Sequence, residues 1–515
     1  MTGATRTGRR GGGSKARRAD ATTAVEQPPF TQPRMRFEPL RAVSEDELEA
    51  IHLASLRVLA ETGIDFLDDT ACRQLAEAGA EVDDQRVRFD PDLVVDLVST
   101  APSQFTIHGI DSGRDLTLGG DWITYTSVAS PPFVTGLGGD RRNGNREDYR
   151  NLLKLGHMLN TVHTFAGYPV EPMDLHPSVR HLHATHDMVT LSDKPPFVYS
   201  LGRQRNLDAM EMTRIARGVD PAVFNAEPSI FSVINASTPL RYDTPMLHGI
   251  QEMSARNQVI VITPFTLAGA MAPVTVAGAL VLQNAEALAG IAYTQVVRPG
   301  APAIYGGFTS NVDMQSGAPA FGTPEYWKAC LVGGQLARRY ALPYRSSNIN
   351  ASNSVDAQAG YESLISIWGA VMGGVNLLLH GAGWLEGGLL TSYEKMVIDA
   401  DVLAMVTAML EPVTVDDATL AVEAIAEVGP GGHFFGIEHT QQRYRSEHFR
   451  PMVSEWRNFE SWDEGGRREA HQRAEDLARQ LIDAHQEPAM NPERRAELDE
   501  YVKRRVAEGG VPTDF

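Results

Sequence analysis

The sequence predicts a (β/α)8 barrel as the main body of the protein, over residues 121–410. Short runs rich in β-branched and aromatic residues recur there about every 30–45 residues, and a helical stretch follows each run. The chain has no complete dinucleotide-binding glycine fingerprint and no phosphate-binding Gly-x4-Gly-Lys-Ser/Thr motif. A doubly wound open sheet is therefore the less favoured alternative.

The composition narrows the classes of partner. The chain has 515 residues, of which 43% are hydrophobic and 22% charged, proportions typical of a globular protein. Its net charge of −19 disfavours nucleic acid and anionic membranes as partners. Cys72 and Cys330 form no disulfide framework, and no apolar run is long enough to predict a membrane span. We therefore expect a cytoplasmic protein.

Two segments precede the predicted barrel. Residues 1–35 begin with a stretch that is rich in Lys and Arg and has no apolar core, which predicts a disordered basic tail. Residues 36–120 predict a small α+β segment. Within it, Ser44 and Glu47 have the spacing of a capping box and begin a helix that ends near Gly63.

The barrel strands are predicted from the apolar runs that end in polar or glycine-rich loops. In order, they are Ile123–Ser127, Thr164–Tyr168, Phe197–Leu201, Ile230–Asn235, Val259–Pro264, Ala303–Phe308, Pro343–Asn348 and Asn376–His380. Thr323, Asp356 and a Thr391–Glu394 capping box are predicted to begin three of the helices. Residues 411–515 predict a C-terminal extension with polar helices, from which we expect a homo-oligomer.

The reacting groups of such a barrel lie at the carboxyl ends of its strands. Aromatic and neutral polar residues dominate there, namely Tyr125, Tyr168, Tyr199, Phe265, Tyr305, Phe308, Trp384, Asn235, Thr263, Thr309, Asn348 and Asn350. Charged or titratable groups are few: Glu171, Arg345, Glu386 and His380. Such a set suits a cation without N–H donors, because ring faces attract it. The alternative is that the rings only pack the barrel mouth.

Metal and hydrolytic sites find little support in the sequence. The cluster His176, His181, His183, His186 and Asp187 matches no recognised ligand spacing, so no metal is predicted. A serine nucleophile elbow of the form Gly-x-Ser-x-Gly does not occur.

Several strings, in order along the chain, resemble the trimethylamine methyltransferase family. They are Pro273-Val-Thr-Val-Ala-Gly, Gln283-Asn-Ala-Glu286, Tyr305-Gly306, Asp313-Met314, Asp356-Ala-Gln358-Ala-Gly360-Tyr-Glu362, Gly381-Ala-Gly383-Trp-Leu-Glu386, Ser392-Tyr-Glu394-Lys-Met-Val-Ile-Asp399 and Val428-Gly-Pro-Gly-Gly-His433. The resemblance covers about residues 39–466 and implies a (β/α)8 barrel. It also implies that a methyl group moves from a methylated amine to the cobalt of a corrinoid (cobalamin) carried by a separate partner protein.

Members of this family that use trimethylamine carry pyrrolysine in the middle of the chain. The sequence has none, and Asn350-Ala-Ser-Asn353-Ser-Val-Asp356 occupies that region. The chain is therefore similar to the members without pyrrolysine, whose substrates are quaternary amines such as glycine betaine. A quaternary amine is already activated by its charge and needs no general acid, so the site has mainly to position it.

Site residues are predicted on this basis. Glu386 and His380 are the predicted catalytic groups, with Glu386 offsetting the positive charge of the substrate, and Arg345 is expected to bind a betaine carboxylate. The remaining predicted substrate-binding residues are Tyr125, Tyr199, Tyr305, Phe308, Asn348 and Trp384. Three alternatives stay open: a tertiary amine methyltransferase, a non-catalytic barrel that binds quaternary amines, and a barrel hydrolase or lyase.

Overall fold

The computed structural model describes residues 25–513, and its helices and strands alternate along most of the chain. The strands are β1 Ile64–Phe66, β2 Glu81–Asp83, β3 Arg86–Arg88, β4 Gln104–Ile107, β5 Leu116–Gly119, β6 Thr124–Ser127, β7 Phe133–Thr135, β8 Arg141–Asn143, β9 Phe231–Ile234, β10 Arg241–Tyr242, β11 Val259–Ile262, β12 Phe265–Ala268, β13 Ala303–Gly306, β14 Phe308–Val312, β15 Pro319–Ala320, β16 Tyr344–Ser347, β17 Leu377–Ala382, β18 Trp384–Leu385 and β19 Leu390–Ser392. The α-helices are α1 Glu45–Arg57, α2 Asp69–Glu77, α3 Pro91–Ser99, α4 Arg146–Met158, α5 Pro177–Leu191, α6 Arg203–Arg217, α7 Pro221–Ala226, α8 Thr244–Ala255, α9 Val276–Val297, α10 Pro324–Arg339, α11 Ala357–Met372, α12 Tyr393–Leu410, α13 Asp417–Leu420, α14 Val422–Val428, α15 Glu438–Arg443, α16 Phe459–Glu464, α17 Ala470–Ala484 and α18 Pro492–Ala507.

A curled parallel sheet forms the centre of this mixed α/β fold. Its hydrogen-bonded strand order is β6-β17-β16-β13-β11-β9, and every neighbouring pair is parallel. The residues of β6, β11, β13, β16 and β17 are all buried. Complete burial is typical of parallel strands that helices cover, and it agrees with the predicted repeat of strand and helix.

The predicted strands Thr164–Tyr168 and Phe197–Leu201 are much shorter than expected. Each forms a single parallel bridge, at Thr164 beside Thr126 and at Phe197 beside Phe231. Pro195 and Pro196, just before the second segment, lack the N–H that a ladder between the two segments would need. Between the two segments the structure shows side-chain bonds instead: the Thr164 hydroxyl donates to the Pro195 carbonyl at 2.7 Å.

Side-chain caps begin the helices much as the sequence indicates. Ser44 and Glu47 form the predicted capping box of α1, and the Thr323 and Asp356 side chains accept backbone N–H bonds at the starts of α10 and α11. The predicted Thr391 cap is wrong by one residue, because Thr391 pairs in β19 and the Ser392 hydroxyl accepts from Lys395 N. Local sequence therefore sets where these helices begin.

Short strands extend the chain beyond the carboxyl ends of the central sheet. After β11, β13 and β17 the chain continues into β12, β14 and β18, which pair in two small sheets with β15, β19, β7 and β8. These extensions surround the end of the sheet at which a barrel places its reacting groups.

The terminal segments pack against this body. Of the predicted basic tail, residues 1–24 lie outside the described residues, whereas Arg34 forms an ion pair with Asp121 at 2.7 Å. In the C-terminal extension, α18 is held by the buried carboxylate of Asp208, which accepts hydrogen bonds from Tyr501 and Arg505 at 2.8 Å.

Helix α9 is long and apolar enough to cross a membrane. However, 78% of its apolar stretch is buried inside the protein, as in a core helix.

Candidate active site

A cavity of about 250 Å³ lies at the carboxyl ends of the central strands. Aromatic side chains form much of its wall: Phe197, Tyr199, Phe265, Phe308 and Trp384. Its polar lining residues are Ser130, Ser200, Asn235, Thr263, Arg345 and His380. The described residues that line it include no Asp or Glu. An apolar wall with a few convergent polar groups is typical of a site for a small ligand.

Arg345 is the charged group of this lining. Arg345 is the second residue of β16 and is 2% exposed. Its Nη1 donates a hydrogen bond to the backbone carbonyl of Gly307 at 3.0 Å. Within residues 25–513, Nε of Arg345 finds no hydrogen-bond partner and no carboxylate forms an ion pair with this guanidinium. Burial lowers the pKa of Arg345 to about 10, so the group stays protonated near neutral pH. A buried cation without a counter-ion is costly, and an anionic ligand group would offset that cost.

His380 stands beside Arg345 and is held in an unusual backbone conformation. Its φ is +56°, where the pairing of β17 with β6 is irregular. The ring lies 4.3 Å from that of Trp384, and Nδ1 is 3.1 Å from the Ser347 hydroxyl. Burial, together with the positive charge of Arg345, lowers the pKa of His380 well below its usual range. The imidazole is therefore neutral near pH 7, and its left-handed backbone is the kind of strain found at functional sites.

Trp384 contributes a large ring to the cavity wall, and its surroundings fit it closely. The indole Nε1–H donates to the Asn350 carbonyl at 3.1 Å, and the Phe308 ring centre lies 6.2 Å away. A Cβ on Gly388 would lie 2.6 Å from the indole, so this position needs a glycine. Rings held in this way can present their faces to a cation without a large desolvation cost.

A second unpaired polar atom belongs to the cavity. Thr263 follows β11, and its buried hydroxyl has no hydrogen-bond partner within the described chain. Gly306 makes room for it, since a Cβ there would lie 2.2 Å from that oxygen. Thr263 is therefore a lining residue whose hydroxyl is left unsatisfied within the described chain.

Five of the nine predicted site residues line the cavity together. These are Tyr199, Phe308, Arg345, His380 and Trp384. Phe265, Asn235 and Thr263, which the sequence also places at strand ends, line it too. The convergence of residues from separate strands is what a parallel sheet imposes at its carboxyl edge.

The other four predicted residues lie outside the cavity lining. Tyr125 stacks on His163 at 5.5 Å between ring centres, and Tyr305 donates to the Asn284 side chain at 3.0 Å. The Asn348 amide donates to the Gly381 carbonyl, and Glu386 forms an ion pair with Arg141 at 2.9 Å. Tyr125 and Tyr305 are fully buried, and which side of a strand a residue faces depends on its register.

Sequence reasoning missed Phe197, Ser200 and Met246, which also line the cavity. Phe197 had a usable signal. It lies two residues before Tyr199 in an extended segment, so both side chains face the same side. Met246 belongs to α8, and a helix gives no strand-end signal.

The histidine cluster on α5 has structural partners. His181 bonds the Asp208 carboxylate at 2.9 Å, and His186 bonds Asp499 of α18. Within the part of the chain that the structure describes, no group of three His, Cys, Asp or Glu residues could hold a metal ion. The two histidines thus help to anchor the C-terminal helix.

Comparison with known proteins places the chain in a family. The family model described as trimethylamine methyltransferase matches residues 9–510. The chain is 34% identical over 469 residues to a glycine betaine methyltransferase of Desulfitobacterium hafniense strain Y51, covering 91% of this chain and 98% of that protein. It is 28% identical to a trimethylamine methyltransferase of Desulfitobacterium hafniense strain DSM 10664 / DCB-2, covering 92% of this chain and 95% of the other.

A solved structure shares the fold. The crystal structure of the hydroxylamine complex of MtmB superposes with a TM-score of 0.50 at 12% sequence identity, over 87% of this chain and 90% of that one. At this identity the likeness concerns the fold alone. The match of the family model over nearly the whole sequence, together with the 34% identity to one member, shows that the chain belongs to the trimethylamine methyltransferase family.

Proposed function

We propose that the protein transfers a methyl group from a quaternary amine that carries a carboxylate, glycine betaine or a related betaine, to Co(I) of a separate corrinoid protein. The observation that carries this proposal is Arg345. This guanidinium is buried in an aromatic cavity and is left without a carboxylate partner in the described structure. A betaine has the two groups that such a cavity accommodates, a cation for the rings and a carboxylate for the guanidinium.

The chemistry of the lining agrees with a quaternary substrate. When a methyl group leaves a quaternary nitrogen, the C–N electron pair stays on nitrogen and the product is a neutral tertiary amine. The metal nucleophile supplies the electron pair of the new bond to carbon, so no proton is transferred. The described lining offers no carboxylic acid, and His380 is neutral. A tertiary amine such as trimethylamine would need protonation or covalent capture first, which these groups do not favour.

The residues of the cavity then act by holding and orienting the substrate. The rings of Tyr199, Phe308 and Trp384 would surround the ammonium group while Arg345 binds the carboxylate. Fixing both ends of a small betaine aims one methyl group out of the cavity, and such positioning supplies much of the barrier reduction in a direct displacement.

The methyl acceptor must approach from outside, because a corrinoid is too large for a cavity of about 250 Å³. The loops beyond β12, β14 and β18 expose Val274, Met314 and Leu389, which are 69%, 69% and 51% exposed. We propose that the corrinoid protein docks over these loops. Exposed apolar side chains around a cavity mouth suit such a partner.

Three further features belong to the same proposal. The eight predicted segments would close a full (β/α)8 barrel, with residues 164 and 197 adjacent at the seam between β6 and β9. We place the enzyme in the cytoplasm, where reduced corrinoids persist. Self-association through the C-terminal extension stays a prediction.

A methyl-transfer assay tests the function. The purified protein is incubated with a reduced corrinoid protein, or with free cob(I)alamin as a second acceptor, and the visible spectrum reports methylation of cobalt. The substrates are glycine betaine, carnitine, choline and trimethylamine. We expect methylation with a betaine and none with trimethylamine. Turnover of trimethylamine but of no betaine would refute the proposal. Tight binding of a betaine without methyl transfer to either acceptor would indicate a non-catalytic binding protein.

A further inference from the structure

Asn350 and Trp384 hold each other through reciprocal hydrogen bonds. The indole Nε1–H of Trp384 donates to the backbone carbonyl of Asn350 at 3.1 Å, and Nδ2 of the Asn350 side chain donates to the backbone carbonyl of Trp384 at 2.7 Å. Asn350 is fully buried and Trp384 is 6% exposed. One bond orients the indole and the other holds the backbone of residue 384, so together they restrict where the ring can lie.

Asn350 and Trp384 are connected to a buried polar network on helices α11 and α12. Nδ2 of Asn350 also donates to the Ser363 hydroxyl at 3.0 Å, and Nζ of Lys395 donates to the same hydroxyl at 2.9 Å. Lys395 is paired with Asp399 at 2.5 Å, and Asp399 accepts from Gly383 N, the residue before Trp384, at 2.9 Å. Helices α11 and α12 are thus tied to the chain on both sides of the indole.

Asn350 itself is absent from the cavity lining, whereas Trp384 belongs to it. The indole touches the His380 ring at a 4.3 Å centre separation, and Gly388 leaves no room on its far edge. A change in indole position would therefore alter the cavity wall directly. Supporting hydrogen bonds of this kind can set the geometry of a site to within a fraction of an ångström.

We infer that Asn350 is a positioning residue, whose side-chain amide holds Trp384 in place as a cavity wall and so determines quaternary-amine affinity without touching the ligand. The claim that Asn350 affects amine affinity rests on the proposed function, whereas the claim that it positions the indole of Trp384 does not. Each claim is therefore tested by a separate measurement.

The first readout needs no ligand. The protein is labelled with 5-fluorotryptophan, and the resonance of Trp384, one of six tryptophans, is assigned as the 19F signal missing from Trp384→Phe. We expect Asn350→Ala to shift or broaden this resonance. Asn350→Ser, whose hydroxyl is too short to reach the Trp384 carbonyl, should act in the same direction and serves if the alanine variant fails to fold.

Asn376→Ala is the matched control. Asn376 is also a buried amide, 5% exposed, and its Nδ2 donates to two carbonyls, those of Gly120 and Trp122. It lies at the opposite end of β17 and does not line the cavity. It should lower thermal stability as Asn350→Ala does, yet leave the Trp384 resonance in place. A shift of that resonance in the control as well would overturn a specific role for Asn350.

The second readout is the dissociation constant of glycine betaine in a double-mutant cycle. We expect Asn350→Ala to weaken binding roughly tenfold, as for a displaced aromatic partner of a cation. In the Trp384→Ala background it should have almost no further effect, because no ring is then left at position 384 for the Asn350 amide to position. An equal loss in both backgrounds, or an unchanged 19F spectrum, would refute the inference. If the wild-type protein binds no betaine, the proposed function fails and the 19F result alone decides the role of Asn350.

Discussion

Replacing Arg345 with methionine separates the two halves of a betaine. Methionine has a similar length and fills much of the same volume, but it carries neither charge nor donor. Binding of glycine betaine should fall sharply, because its carboxylate loses the guanidinium. Choline has the same ammonium group without a carboxylate, so its binding should stay the same or improve once a buried positive charge is removed.

The size of the effect follows from the contacts of Arg345. The guanidinium has a free Nε, and the described structure gives it no competing carboxylate, so it can form two charge-assisted bonds to a ligand. Hydrogen bonds to charged groups contribute about 1.5–3 kcal/mol each, and two of them predict a loss of about 3 kcal/mol, roughly a hundredfold in Kd. Arg345→Lys keeps the positive charge but loses the paired N–H donors of the guanidinium. Its affinity for glycine betaine should lie between those of the wild-type protein and Arg345→Met.

Titration calorimetry with both ligands is the assay, and Arg338→Met is the matched control. Arg338 likewise donates from Nη1 to a backbone carbonyl, that of Gly373 at 2.5 Å, but it lies outside the cavity lining. Its replacement should cost about 1 kcal/mol of unfolding free energy and leave both affinities unchanged.

Parallel losses for betaine and choline in Arg345→Met would refute the reasoning. Such a result would mean that the variant collapses the cavity and does not simply remove a carboxylate-binding group. Unchanged betaine affinity would show that the carboxylate is bound elsewhere.

Four further predictions concern residues in and around the cavity. Trp384→Ala should weaken betaine and choline alike by about 1–2 kcal/mol, measured by calorimetry, because both lose a ring face for the ammonium group. Tyr305→Ala should leave the affinities unchanged but lower the unfolding free energy by about 3–5 kcal/mol in urea titrations, since this buried ring lies outside the cavity lining. Betaine affinity should be constant between about pH 6 and 9 and decline above about pH 10, because Arg345, with a pKa of about 10, then loses the proton that makes it cationic. Lys395→Met or Asp399→Ala alone should cost about 3–5 kcal/mol of stability by leaving an unpaired buried charge, and the double variant Lys395→Met/Asp399→Leu should recover much of it.

Three of these four predictions have a specific contrary outcome. Reduced betaine affinity in Tyr305→Ala would place that ring in the site after all. A binding transition near pH 6.5 would mean that an imidazole titrates in the site, against the neutral state assigned to His380. A double variant less stable than either single one would show that the Lys395–Asp399 pair contributes through its other hydrogen bonds.

The candidate site shows how far sequence reasoning reaches. The sequence places Arg345 within a predicted strand and Trp384 shortly after one, and the carboxyl ends of parallel strands share one edge of a sheet, so both could be expected near one cavity. Glu386 also follows such a strand, yet it is paired with Arg141, 245 residues away in the chain. A contact over that separation leaves no local trace in the sequence.

The sequence by itself determined the repeating strands and helices, several helix starts and the aromatic character of the strand ends, because spacing and capping are local properties of a chain. Only the tertiary structure decided which of those side chains face the cavity. A shift of one residue reverses the side to which a strand residue points, and strand edges are not set locally. It also decided that Arg345 has no carboxylate partner within the described chain, because the absence of a counter-ion depends on every segment packed around the guanidinium.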